Sequence, residues 1–119
     1  MPFAVEFSAG SERDFELIFD HLFESYIGFG ESHEEALDHA AHRIMSIRKA
    51  AGRLTTFPLR GTLRGDILPG VRHLTVDRAI YWFDVDEPAQ KVRILAIFFG
   101  GQDHVRHMLV RLLRQDELR

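Results

Sequence analysis

Cysteine is absent from this 119-residue chain, which excludes both a disulfide framework and a thiolate zinc site. No apolar run approaches the length of about 18 residues that a membrane-spanning helix needs. The N-terminus also lacks the basic-then-apolar layout of a signal peptide, so the cytoplasm is the expected compartment. No phosphate-binding glycine loop, serine nucleophile elbow or paired-carboxylate pattern occurs, which argues against an independent metabolic enzyme. Internal repeats, low-complexity tracts and inter-domain linkers are missing too. With 45% hydrophobic and 28% charged residues, residues 1–119 read as one globular domain with a single core.

Lysine is scarce, and thirteen of the fifteen basic residues are arginine. Arginine offers a planar fork to carboxylate or phosphate and keeps its charge when partly buried. The net charge of −3 hides a division along the chain. Residues 1–40 carry ten acids and one base, Arg13, whereas residues 41–119 carry fourteen bases against eight acids. An acidic first part and a basic second part suit a basic face that meets an acidic partner or a nucleic acid, and they equally suit a solvated surface that keeps the protein dispersed.

Periodicity gives the elements. Phe3, Val5 and Phe7 alternate with polar or small residues, the period of a half-buried strand. Ser8 or Ser11 caps a helix with Glu12 and Asp14 near its positive end, and Phe15, Ile18, Phe19, Leu22, Phe23 and Tyr26 form its apolar stripe until Gly28 and Gly30. Ser32 and Glu35 have capping-box spacing. They open a second helix with Leu37, Ala40, Ala41, Ile44, Met45 and Ile47 on one face, ending at Gly52. Ala36, Ala40 and Ala41 are small enough for close approach to the first helix, so the pair is expected as a helical hairpin.

Residues 53–70 hold Pro58, Gly61, Gly65, Pro69 and Gly70 and no sustained period. A connection of that length is expected to be functional, ordered by a partner, or partly strand. Strands are then expected at 71–76, 79–85 and 92–99, with a tight turn at Asp77 and Arg78 and another over 86–90. The last strand is the most apolar and is expected to be central. Asp103 caps a final helix with Val105, Leu109, Leu112 and Leu113 on its apolar face and Arg106, Arg111 and Arg114 in water. The expected class is α+β: strand 1 plus a three-strand meander in a mostly antiparallel sheet, a helical hairpin on one face, and a short C-terminal helix. Phe15, Ile18, Leu22, Ile44, Ile47, Ile94, Ala96 and Phe98 are its expected buried residues.

Ordered motifs along nearly the whole chain carry a family likeness. They are Ser11 with Arg13 and Asp14, then Pro69, Gly70, Val71 and Arg72, then Arg78 three residues before Tyr81, Val85 with Asp86, and the strand from Ile94 closing at Asp103. In this order the chain resembles the ParE/RelE superfamily of toxins from bacterial type II toxin–antitoxin modules, and in particular the ParE-like plasmid stabilization proteins. The resemblance implies a growth-inhibiting toxin neutralised by a cognate ParD-like antitoxin, in a hetero-oligomer, with no cofactor, metal or membrane. A ParE-like member inhibits DNA gyrase; the alternative is a RelE-like ribosome-dependent mRNA endoribonuclease.

The residues bear on that choice. A nuclease uses basic groups to position a 2′-hydroxyl and stabilise a phosphate. Arg72 and Arg78 match two such positions, but Gln102 stands where an arginine is expected and supplies no permanent charge. His104 and His107 lie one helical turn apart and could act as acid and base, since imidazole titrates near neutrality; they equally suit an exposed helix start. The gyrase branch is thereby favoured. The expected target or antitoxin surface is Arg72, Arg78, Gln102, Asp103, His104 and His107, with Arg72, Arg78, His104 and His107 catalytic only in a nuclease. Two further readings are weaker. Glu35, His39 and His42 share a helix face that could chelate a metal, but an exposed polar stripe suits them as well. Tyr81 and Phe83 share a strand face that could stack on bases, but a core role is expected for them.

Overall fold

The computed structural model describes residues 2–100 and 103–114. Its element order is β1 (Ala4–Phe7), α1 (Ala9–Gly28), α2 (His33–Ala50), a 3-10 turn (Ala51–Thr55), β2 (Thr62–Leu63), β3 (Arg72–Val76), β4 (Ala79–Asp86), β5 (Lys91–Phe99) and α3 (His104–Leu112). The class is the expected α+β. The five strands lie in the order β1-β5-β4-β3-β2. β1 runs parallel to β5, and every other neighbour pair is antiparallel.

The ends of the helices follow from local chemistry. Ser8 rather than Ser11 is the N-cap of α1, accepting the Ser11 amide at 3.1 Å, while the Ser11 hydroxyl donates back to the Ser8 carbonyl at 2.8 Å. At the other end Gly30 takes φ +98°, the left-handed exit that glycine enters without strain. The capping box of α2 is complete, with Glu35 N donating to Ser32 Oγ and Ser32 N to the Glu35 carboxylate. These hydrogen bonds hold the Glu35 carboxyl below its ordinary range.

Each sheet face has its own core. On the hairpin side Phe15, Ile18 and Leu22 of α1 and Ala40 and Ile47 of α2 pack on Tyr81, Phe83, Val92, Ile94 and Ile97. On the other side α3 and the turn near Leu68 cover Val71, Ile80, Trp82, Leu95, Ala96 and Phe98, with Met108 at the centre. A bulge across Trp82/Phe83 leaves Leu95 unopposed in the ladder and puts Leu95 and Ala96 on the same face. Tyr81 and Phe83 are core residues, as the alternation predicts. The Tyr81 hydroxyl donates to the Ile47 carbonyl of α2, and burial pushes its phenol well above the ordinary tyrosine range.

Some expectations need correction. β5 is an interior strand, but β4 is the middle one, because the segment 53–70 contributes β2 beyond β3. That outer strand depends on Gly61, at φ +81°, where a Cβ would lie 2.2 Å from the His73 carbonyl oxygen. On α2, Ala36 and Ala40 are buried but Ala41 and Met45 are exposed, and Ile44 is half-buried. α2 thus contacts its neighbours along a narrower stripe than its run of apolar residues suggests.

Candidate functional site

β1 accompanies β5 only as far as Phe7 opposite Ile94. Beyond that point the chain turns into α1, and side chains take over the open edge of β5. Ser8 Oγ donates to the Leu95 carbonyl at 3.1 Å, and Asp14 Oδ2 accepts the Ile97 amide at 2.9 Å. Arg111 of α3 reaches round to the same carboxylate, with Nη2 2.6 Å from Oδ1 and Nη1 2.9 Å from Oδ2. This bidentate pair is 12% and 4% exposed, so Arg111 is not the wet residue its helical position predicts. Three elements are joined here: α1, β5 and α3.

Beside this ion pair an open groove of about 580 Å³ runs between α1 and α3 along the end of β5. Its walls combine apolar Leu17, Ile97, Phe98 and Phe99 with His21, Arg78 and His107. Leu17 is 66% exposed. The Phe99 ring has the Arg43 and Arg78 guanidinium carbons each 5.5 Å from its centroid and His21 edge-on at 6.4 Å. Helices α1 and α2 and the β3–β4 turn therefore each bring a basic or titratable group to one aromatic ring at the end of the sheet. Such a surface suits a partner segment that carries both acids and apolar side chains.

Arg78 reaches the groove from a strained position. Val76 pairs with Ala79, so Asp77 and Arg78 form a two-residue hairpin loop, and both have positive φ, 50° and 69°. Glycine and asparagine suit that turn far better than arginine does. Two contacts brace the loop: Arg43 Nη2 donates to the Asp77 carbonyl at 2.7 Å, and Gly100 N donates to the Arg78 carbonyl at 3.0 Å. A charged side chain held in an unfavourable backbone conformation, at the rim of a groove, points to a use for that charge.

Among the remaining described candidates, His107 shares the groove with Arg78, while Arg72, Asp103 and His104 do not line it. Arg72 begins β3, about 14 Å of strand away from Val76, and its Nη1 donates to the Leu59 carbonyl at 3.1 Å. Asp103 is the N-cap of α3, its Oδ1 accepting the Arg106 amide. Gln102 lies outside the described residues. His107 lines the groove with its ring 5.6 Å from Phe98, whereas His104 turns to the sheet, where its Nδ1 accepts the Trp82 indole N–H at 3.1 Å. Burial holds His104 below the ordinary imidazole value of 6.5 despite the opposing pull of Asp103. Of the five of these surface residues that are described, Arg78 and His107 come together in one groove.

The proposed chelating face of α2 is committed elsewhere. His39 pairs with Glu31 at 2.9 Å and stacks on Tyr26, while His42 Nδ1 meets the Asp38 carbonyl. No metal-holding group of three acids or histidines comes together among the described residues. The sequence reading missed Arg43, Arg111 and His21. One signal was present for the ion pair: Asp14 follows Ser11 and precedes Ile18 on the apolar stripe of α1, and an acid on a buried stripe needs a cation or several donors.

Known structures share this architecture. A chain of the RelBE2 toxin–antitoxin complex from Mycobacterium tuberculosis superposes with a TM-score of 0.60 at 18% identity, over 86% of this chain and 95% of that one. A chain of the chromosomal ParDE system of P. aeruginosa gives 0.62 at 21% identity, over 83% and 97%. A mutant of the E. coli toxin RelE in the free state gives 0.58 at 10% identity, over 95% and 99%. No protein-family model matches the sequence, and no curated protein sequence does either.

Proposed function

We propose that this chain, which has the fold seen in the RelE and ParE toxin–antitoxin structures, is the toxin of a type II toxin–antitoxin module of the ParE-like kind. In this reading it acts by binding, inhibits DNA gyrase in the cytoplasm, and is neutralised by a cognate ParD-like antitoxin in a hetero-oligomer. No described helix is long and apolar enough to cross a membrane.

The observation that carries the choice of ParE over RelE is the dispersal of the nuclease candidates. Cleavage of RNA through its 2′-hydroxyl needs a base within hydrogen-bond reach of that hydroxyl, an acid at the leaving oxygen, and cations on the phosphate, all around one point. Here Arg72 is tied to Leu59 at the far end of β3, and His104 has one ring nitrogen engaged by Trp82. Arg78 and His107 remain as a pair in a groove with apolar walls. That arrangement supports recognition of a protein surface more than a chemical step. Leu17 of α1, Met45 of α2 and Leu109 of α3 are exposed, and a wrapping antitoxin segment would gain by covering them.

The test is direct. Purified protein is added to a gyrase supercoiling reaction and, separately, to programmed ribosomes. Inhibited supercoiling with broken DNA, relieved by the antitoxin, and an intact message are the expected results. Ribosome-dependent cleavage that disappears with His107→Ala would overturn the reading in favour of a RelE-like endoribonuclease. Charge reversal at Arg78 should also weaken antitoxin binding more at low salt than at high salt, because the contact is partly screened.

A further inference from the structure

Trp82 is the single tryptophan of the chain, and it is 0% exposed in the middle strand. Its indole N–H has one acceptor, His104 Nδ1, in the first turn of α3. The bond fixes the tautomer: Nδ1 carries the lone pair, and the ring proton sits on Nε2. Around this contact the charges are crowded. His73 of β3 has its ring 4.9 Å from Trp82 and 5.0 Å from His104. Arg64, from the turn after β2, places its guanidinium 5.9 Å from the indole and is held there by Asp66 at 3.0 and 3.1 Å. On this face β5 contributes apolar Leu95, Ala96 and Phe98, and further along it Arg93 pairs with Asp84 of β4 at 3.8 Å. On α3 itself Asp103 lies at the cap, and His107, one turn on, faces Phe98.

We propose that His104 is a proton-operated latch on α3, which docks the helix while its ring is neutral and lifts the first turn from the sheet when Nδ1 takes up a proton. A protonated Nδ1 is a donor, so it cannot accept the indole N–H, and Trp82 would keep a buried donor with no acceptor. The new charge would also face Arg64 and His73, with Asp66 engaged by Arg64, Asp84 by Arg93, and Asp103 at the cap to offset it. Burial lowers both histidines relative to 6.5, with Arg64 adding to the effect on each and His104 to that on His73. A group depressed in the docked form contributes its full stability above the released value and loses it as the pH falls towards the docked value. The window therefore opens below about 6.5. Because α3 supplies His107 and Arg111 to the groove, protons would reshape that groove by moving its wall. The inference rests on the Trp82–His104 contact and the groups around it and does not depend on the toxin reading.

The test follows the indole Nε1–H resonance of Trp82, the ring titration of His104, and the exchange protection of the α3 amides by NMR from about pH 7.5 to about pH 5. In the wild type all three should change with one midpoint below about 6.5, α3 protection falling about tenfold per pH unit within the window. His104→Asn keeps an acceptor near the Nδ1 position but does not titrate, and should show no change of α3 protection over that range. The inference is overturned if α3 stays protected in the wild type at the acid end, if His104 titrates with a midpoint distinct from helix release, or if His104→Asn releases α3 at the wild-type midpoint. The coincidence of midpoints within the wild type decides the matter even where the variant does not fold.

Discussion

Replacing Arg111 with methionine is the perturbation that most sharply tests the account of the β5 edge. Methionine keeps much of the side-chain length over Phe98, where the guanidinium now lies 5.5 Å from the ring, and removes both donors to Asp14. The carboxylate, 4% exposed, would keep only the Ile97 amide at 2.9 Å. Removing one partner of a buried pair leaves an uncompensated charge and typically costs about 3–5 kcal/mol. For a domain of this size that corresponds to a fall in melting temperature on the order of 10–20 °C. Adding Asp14→Asn removes the stranded charge while its amide oxygen can still accept from Ile97. Arg111→Met/Asp14→Asn should therefore recover at least about half of the loss, a coupling of roughly 2 kcal/mol. Urea unfolding followed by Trp82 fluorescence and by far-ultraviolet circular dichroism measures Arg111→Met, Asp14→Asn and the double variant, and coincident transitions license two-state analysis. A single variant within about 0.5 kcal/mol of wild type, or a double variant equal to the sum of the singles, would refute the reasoning.

Two further outcomes are expected. Arg78→Gly relieves the left-handed strain in the β3–β4 turn, so stability should stay level or rise by up to about 1 kcal/mol, while inhibition of gyrase and affinity for the antitoxin fall; equal loss of fold and activity would show that Arg78 serves the turn alone. The Tyr81 phenol is pushed up by burial, so its contribution is fully present below the ordinary tyrosine value of about 10 and is lost as the pH rises through the folded value. The wild type should therefore unfold in alkali, and Tyr81→Phe, which loses the bond to Ile47 and about 1–2 kcal/mol at neutral pH, should show a flatter alkaline profile.

Local chemistry alone determined much of this protein. Helix starts at Ser32 and Asp103, the hairpin exit at Gly30, the tight turn at Asp77 and Arg78, and the strand alternation that hides Tyr81 and Phe83 were all readable, because capping, positive φ and the two-residue strand period act within a few residues. The basic groups of the second half were visible as a sum, and Arg78 and His107 were visible as candidates. Which of them meet follows from the packing of distant segments. Arg111 looked wet on its own helix and became the buried partner of Asp14, 97 residues away, because β1 stops short and leaves the β5 edge to side chains. His104 looked like a surface acid or base and became the acceptor for Trp82, because α3 packs on the face of the sheet opposite the hairpin. Arg72 and Arg78, both candidates in the sequence, stand at the start of β3 and in the turn beyond its end. Pairing of this kind depends on where distant segments stop and cross, and no local period or composition encodes it.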